Sequence, residues 1–240
     1  MRDIDLDAER EYENKKARGE NPRSAQGKYY WAINLAVENH NQTTLENIKG
    51  KTVLEIGCAS GNDAVSYSDR AANYVGVDIS DEAIRNANEL NLKNSEFLCV
   101  DGHKIPKEDA SFDCVIVNSL LHHLDLEVTF REIHRLLKEG GVLIFREPLG
   151  TNPFFQFYRK LTPSARTVDE RPFTFSDLRL MNEYFSFERV QWFGFLNIIS
   201  AFVKRNAIRL FLTRADHALS RTPIRYFFWQ FSGIAKKKEA

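Results

Sequence analysis

The sequence predicts an α/β fold in which a largely parallel sheet carries helices on both faces. Three observations lead there. Val53-Leu54-Glu55-Ile56 is a run of strand formers that ends in Gly57-Cys58-Ala59-Ser60-Gly61-Asn62, a turn of small residues that opens a helix. Further short apolar runs, Tyr74–Ser80, Glu96–Gly102 and Phe112–Asn118, follow it in order, with stretches of helical character between. Leu136–Phe145 then reads as a helix end, a Gly140-Gly141 turn and a fifth strand. Strands alternating with helices build parallel sheets, because a parallel neighbour is reached only through a crossover.

Taken in order, residues 1–49 form a polar lead. A charged helical run covers Glu9 to Arg18, and a Gly- and Pro-containing loop runs from Gly19 to Gly27. Helical spacing resumes over Lys28–His40, where Tyr29, Tyr30, Trp31, Ile33, Leu35 and Val37 give an apolar face that either packs on the sheet or closes a site. Residues 50–148 are the alternating core, with helices expected near 61–71, 80–91 and 126–138. Residues 149–240 are richer in Phe, Tyr and Trp and are assigned to substrate recognition. Phe185–Phe193 reads as a sixth strand and Arg225–Ile234 as a seventh. About 30 residues separate the two. That insertion, 197–222, has apolar residues at helical spacing, among them Ile198, Phe202, Ile208, Leu210 and Phe211.

Composition sets bounds. At 240 residues the chain accommodates one well-buried domain spanning 1–240. Its formal net charge is zero, yet residues 197–240 hold nine Lys and Arg against two Asp and Glu, a net +7, which leaves the body at −7. A neutral whole gives no global attraction to nucleic acid. The basic end reads as a solvated helix side, as an interfacial helix on an anionic membrane, or as a lid or dimer surface. Cys58, Cys99 and Cys114 sit in or beside expected core strands and read as small buried apolar residues. No zinc-type spacing is present, so no metal is expected, and a reducing compartment, the cytoplasm, is the default. The acidic start lacks the apolar stretch of a signal peptide, and no apolar run reaches the ~18 residues of a membrane span.

The strand ends carry the chemistry. Small residues let the backbone of the first turn come close to a ligand. Glu55, just before Gly57, suits a cationic ligand and would repel a pyrophosphate. Gly57 and Gly61 lie four apart, which departs from the G-x-G-x-x-G dinucleotide fingerprint. Asp78 ends the second strand about 20 residues past the turn, where a carboxylate can accept both hydroxyls of a ribose. Asp101 ends the third strand.

This ordered set resembles the motifs of the class I S-adenosylmethionine-dependent methyltransferases, in particular a bacterial small-molecule subset. Glu55–Gly61 resembles E/D-x-G-x-G-x-G, with Ala59 at the middle glycine, a mild change if its φ is negative. The segment around Asp78 resembles motif II, that around Asp101 motif III, and Phe112–Asn118 motif IV. Leu136–Leu143 resembles the L-K-P-G-G-x-L segment. The resemblance implies a Rossmann-like, doubly wound, seven-stranded sheet of order 3-2-1-4-5-7-6 with the last strand antiparallel. It implies S-adenosyl-L-methionine as cofactor. It further implies Asp78 on the ribose, Ile79 against the adenine, and Asp101 on the adenine amino group, with Gly102 and His103 following. Glu55, Gly57, Cys58, Ala59, Ser60, Gly61, Asn118 and Ser119 complete the expected cofactor site.

The reaction implied is in-line transfer of the methyl group to a small-molecule acceptor with an apolar or aromatic part. A hydroxyl acceptor also needs its proton removed. His122 and His123, just past the fourth strand, are candidate bases. His123 is the one in family register, and the sequence leaves open which ring faces the pocket. Glu147, at the end of the fifth strand, is a second candidate, or else a structural carboxylate paired with Arg146 or a backbone amide. Asp169 and Glu170 lie in a loop expected over the site. Two alternatives stand beside this reading: a lipid or lipid-linked glycan acceptor at a membrane surface, with peripheral membrane contact through the insertion, and a cofactor-binding partner subunit without catalysis. No nucleic-acid partner is expected, and the oligomeric state stays open.

Overall fold

The computed structural model describes residues 4–20, 30–153, 156–157, 171–203 and 205–239. Seven strands form one sheet: β1 (Thr52–Ile56), β2 (Asn73–Asp78), β3 (Ser95–Cys99), β4 (Phe112–Asn118), β5 (Leu137–Pro148), β6 (Phe185–Phe193) and β7 (Gln230–Lys237). Their order is β3-β2-β1-β4-β5-β7-β6, as expected from the resemblance. β1 to β5 pair in parallel, and β7 runs antiparallel to both β5 and β6. The carboxyl ends of β1, β2, β4, β5 and β6 and the start of β7 therefore share one edge.

Each face of the sheet buries its own apolar layer. On one, Leu54, Val115, Val117, Phe145 and Phe231 meet Phe130 and Ile133 of α5 (Leu126–Leu136). On the other, Val53, Ile116, Ile144 and Ile234 meet Ile48, which follows α2 (Tyr30–Asn47). Strands buried on both faces read as near-continuous apolar runs, and that is why β1 and β4 stood out.

The remaining helices differ from expectation in length more than in place. The charged N-terminal run is α1 (Leu6–Ala17), capped by Asp5 and carrying Asp7 and Glu9 in its first turn. The helix after the first turn is short, α3 (Ala64–Ser68), while α4 (Asp81–Glu89) starts at the cap Ser80. α2 extends to Asn47, and its buried stripe is Ala36, His40, Thr43 and Thr44. That stripe is mostly polar, unlike the apolar face anticipated. Tyr29, and the side chains of Tyr30, Trp31 and Ile33, lie outside the described residues. Cys58 and Cys114 are buried, whereas Cys99 is exposed at the end of edge strand β3.

α6 (Phe175–Tyr184) precedes β6, which contains a bulge between Phe187 and Arg189. The extra residue shifts the two-residue alternation, so Phe187, Val190 and Trp192 share one face. Gly233 faces the bulge, where a Cβ would lie 2.1 Å from the Arg189 carbonyl oxygen. The insertion between β6 and β7 is helical, in two pieces: a 3-10 segment, Leu196–Phe202, and α7 (Asn206–Leu219). The anticipated seventh strand begins late. Thr222 and Pro223 instead start a 3-10 turn over Pro223–Phe227, and pairing begins at Gln230.

Candidate active site

A cavity of about 300 Å³ opens at the carboxyl ends of β1, β2 and β4 and is covered by α1. α1 is held there by Asn14, whose Oδ1 accepts from Ser80 Oγ (2.6 Å) and whose Nδ2 donates to Asp81 (2.9 Å). Ile4, Leu6, Glu9, Glu13 and Lys16 line the cavity from above. The cover was expected from the aromatic helix; among the described residues it comes from the charged one.

Of the expected cofactor residues, Glu55, Gly57, Cys58, Ala59, Asp78, Ile79, Asp101, Gly102, Asn118 and Ser119 line this cavity. Ser60, Gly61 and His103 do not. Gly61 (φ +76°) is placed for packing, since a Cβ there would lie 2.9 Å from Leu90 and 3.2 Å from Ala87 of α4. Ser60 turns to Asn86, whose Nδ2 reaches it at 3.5 Å. His103 acts one step back: its Nδ1 meets Asp101 Oδ1 at 2.6 Å and its Nε2 accepts from the Asp125 N–H at 2.9 Å. Those partners assign the proton to Nδ1. The same contact holds the Asp101 carboxyl below its ordinary range.

Ala59 corrects an assumption. Its φ is +46°, not negative, so it occupies the left-handed region a family glycine would fill. The conformation aims its N–H at Asp78 Oδ2 (2.9 Å), while the Ser80 N–H donates to Oδ1 (2.9 Å). Both carboxylate oxygens are thus oriented by backbone. Burial pushes the Asp78 carboxyl up despite these bonds.

Glu55 is buried on the cavity floor and accepts from the Tyr74 hydroxyl. Burial raises its pKa to about 8. Sequence reasoning missed Asp63, Glu9 and Glu13, which also line the cavity. Asp63 follows the first turn directly, within reach of the motif; Glu9 and Glu13 arrive from a helix distant in sequence. Among the described residues, six carboxylates and one lysine face this space. Such a field favours a cationic ligand and disfavours a phosphate.

The candidate catalytic residues form two separate pairs. His122 Nδ1 meets Glu147 Oε2 at 2.7 Å, with both side chains buried. Glu147 Oε1 accepts from the Leu120 and Leu121 N–H groups at 2.9 and 2.8 Å. Glu147 is therefore not the partner of Arg146, which lies on the other face and donates to Asn118 (2.7 Å) and Gln230. His123 lines the cofactor cavity and pairs with Glu9 at 3.1 Å. The two rings lie 4.3 Å apart. The Arg171 N–H donates to the His122 carbonyl (3.1 Å), and Arg171 also pairs with Asp177. Asp169 and Glu170 lie outside the described residues.

A second cavity, of about 700 Å³, lies between α6 and the bulged end of β6. Phe175, Leu178, Val190, Trp192, Tyr226 and Phe231 supply its apolar walls. Phe231 pairs with Glu147 and with Trp192, so this groove occupies the same sheet face as the His122–Glu147 pair. Trp192 lies two strands from Glu147, roughly 10 Å at ~4.8 Å per strand.

The residues fit S-adenosyl-L-methionine. The acid-lined cavity matches its cationic charges, and the oriented carboxylate of Asp78 matches a ribose. Residues 54–145 match the model of a methyltransferase domain. A fatty-acid O-methyltransferase of Mycolicibacterium smegmatis is 26% identical over 60% of this chain and 54% of its own length. Phthiotriol/phenolphthiotriol dimycocerosates methyltransferase 1 of Mycobacterium ulcerans is 28% identical over 78% of this chain and 66% of its own length. The matched regions thus span less than two thirds of these relatives. Among solved structures, geranyl diphosphate C-methyltransferase from Streptomyces coelicolor superposes with a TM-score of 0.63 at 15% identity, covering 84% of this chain and 79% of that one. Residues 54–145 are thus similar to a methyltransferase domain, on a sheet with the fold of solved S-adenosylmethionine-dependent methyltransferases. S-adenosyl-L-methionine is the cofactor that this domain and these residues support.

Proposed function

We propose that this chain transfers the methyl group to a hydroxyl of a small acceptor bearing an apolar or aromatic body. The His122–Glu147 pair carries this reading. The cofactor supplies an already activated methyl group, so a carboxylate or thiolate acceptor needs no base beside it. A hydroxyl does. Glu147 accepts the Nδ1 proton of His122, which fixes the tautomer and leaves Nε2 as the basic nitrogen. The carboxylate then stabilises the imidazolium that forms when the acceptor proton arrives. Glu55 and Asp78 hold the cofactor, and Asp101 is steadied by His103.

The apolar groove beside the pair supports an acceptor whose body lies against Trp192 and Phe231. Relatives named for fatty acids and for phthiotriol dimycocerosates favour, as a second reading, an acceptor that is itself a lipid or is lipid-linked.

The test uses methyl-labelled cofactor and a cell extract split into organic and aqueous phases. A labelled product whose carbon NMR places the methyl on an ether oxygen is expected; a base-labile methyl ester would move the acceptor to a carboxylate and remove the base from the reaction, and a methyl on carbon, nitrogen or sulfur would refute the hydroxyl reading. His122→Ala is expected to lower kcat by roughly 10²–10⁴ with S-adenosylhomocysteine affinity retained. Full activity in both His122→Ala and Glu147→Gln would refute the assignment.

A further inference from the structure

The insertion between β6 and β7 is built partly inside out. A helix on a protein surface normally turns its apolar stripe to the core and its charges to water. α7 departs from this by turning its largest apolar residues outward and burying a carboxylate. Its one fully buried residue is polar, among half-buried Leu212, Ala215 and Leu219: Asp216 is 5% exposed, and its two oxygens accept the N–H groups of Phe195, Leu196 and Asn197 at 2.7–3.0 Å. Thr213 reaches the Asn197 side chain, and the Arg209 guanidinium donates to the Val203 carbonyl. Outward stand Ile208, Leu210 and Phe211, at 42%, 52% and 68% exposure. Ile199 in the preceding 3-10 segment and Ile224 and Phe227 in the following one are exposed as well.

The charge on this segment is one-sided. Between Leu196 and Trp229 the sequence has Lys204 and five arginines, with Asp216 as the sole acid. Asp216 is consumed inside, so its charge does not reach the surface. Arg205, Arg214 and Arg221 are exposed beside the apolar residues. Burial of these apolar groups against a second copy through a two-fold contact would bring the same arginines face to face with no acid to meet them. An anionic bilayer supplies what is missing on both counts, an apolar phase for Leu210 and Phe211 and negative headgroups for the guanidinium ring around them.

We propose that α7 and its flanking 3-10 segments are the face by which this methyltransferase docks on an anionic membrane surface. The insertion leaves β6 and returns to β7 at the same edge of the sheet, the carboxyl ends of the parallel strands, where the cofactor cavity opens. Docking through it holds that edge at the bilayer. The inference goes beyond the hydroxyl reading and does not rest on it, because binding to lipid is measured without turnover.

The experiment is flotation of the full chain, saturated with S-adenosylhomocysteine, with vesicles of phosphatidylcholine alone and of phosphatidylcholine mixed with phosphatidylglycerol. The expected result is binding to the mixed vesicles that weakens at high salt. Leu210→Ser with Phe211→Ser should weaken it more than about tenfold, with circular dichroism and cofactor affinity unchanged. Each of Arg214→Gln and Arg221→Gln should weaken it about five-fold. Should the serine pair not fold, R214E with R221E carries the test, since both side chains are exposed. Absence of binding to the mixed vesicles overturns the proposal. So does equal binding to both vesicle types, binding untouched by the serine pair and the arginine changes, or a concentration-dependent dimer that the serine pair dissolves while no lipid is bound.

Discussion

Glu55 makes cofactor affinity depend on pH in a direction and over a range that can be worked out. Its carboxyl is buried, and its pKa is pushed up to about 8. At pH 7 only about one molecule in ten carries the charge, and ionising the rest costs about 1.4 kcal/mol. With the ammonium of the cofactor's zwitterionic amino-acid end set against Glu55, binding draws on the charged form. If the complex contains only ionised Glu55, the apparent Kd scales as 1 + 10^(8−pH). Affinity for S-adenosylhomocysteine should then tighten by roughly fifty-fold between about pH 6 and pH 8 and level off above that. Calorimetry in buffers of different ionisation enthalpy should show about one proton released per complex at the acid end. Methylthioadenosine, which lacks the amino-acid end, should bind with a flat profile, and Glu55→Gln should flatten the profile for S-adenosylhomocysteine. A flat wild-type profile, or one shared by methylthioadenosine, would refute the reasoning.

The same shift sets a stability trend in the cofactor-free protein. The folded pKa lies above the unfolded value, so the stabilisation is complete below about pH 4.5 and is lost as pH rises through about 8. Burial of Asp78 acts in the same sense. Tyr74 opposes it by donating to Glu55, which favours the charged form. Tyr74→Phe should therefore move the binding transition to higher pH and weaken S-adenosylhomocysteine at neutral pH by on the order of tenfold or more.

Asp78→Ala removes the acceptor of the Ala59 and Ser80 N–H groups as well as the ribose partner; S-adenosylhomocysteine affinity should fall tens-fold, a loss on the order of 2–3 kcal/mol. Ala59→Gly should stabilise the fold by about 1 kcal/mol, read as a higher Tm, because glycine carries no penalty at φ +46°. An unchanged or lower Tm would mean that the left-handed turn is not strained. Gly233→Ala should cost on the order of 3 kcal/mol or more by urea titration, since its Cβ would overlap the Arg189 carbonyl at the bulge.

The strand ends were legible because their signals are local. Val53–Ile56, Asp78 and Asp101 each announce themselves within a few residues, and the structure gathers them at one edge. What was misread depended on contacts distant in sequence. Gly61 resembles a ligand-side glycine, yet it is there for Ala87 and Leu90. His103 follows the motif III acid and looks like a ring contact, but it points to Asp125 across the next loop. The pairing of Glu147 with His122 joins residues 25 apart. That Arg146, one position earlier, faces the other side follows from strand alternation alone. β6 shows the same limit: Phe187, Val190 and Trp192 break the alternation of a regular strand, and the bulge that reconciles them is specified opposite, at Gly233.

The insertion tests how far periodicity can be taken. Helical spacing of Ile208, Leu210 and Phe211 correctly announced a helix with an apolar side. It could not say which way that side faces, and the ordinary expectation, burial against the body, fails here. The deciding residue is Asp216, the sole acid among the arginines of the segment. Three backbone N–H groups at the start of the 3-10 segment converge on it, and they fix the Asp216 side of α7 inward. Rotating the helix to bury Phe211 would expose or orphan that carboxylate and break all three bonds. Each orphaned N–H would cost about 1–3 kcal/mol, comparable to or more than the gain from covering one phenylalanine. The outward apolar face is thus held by the packing beneath it. A body with net charge −7 and a C-terminal part, residues 197–240, carrying the compensating positive charge, much of it on the insertion, then divide the surface between a cation-binding cavity and a face suited to anionic lipid.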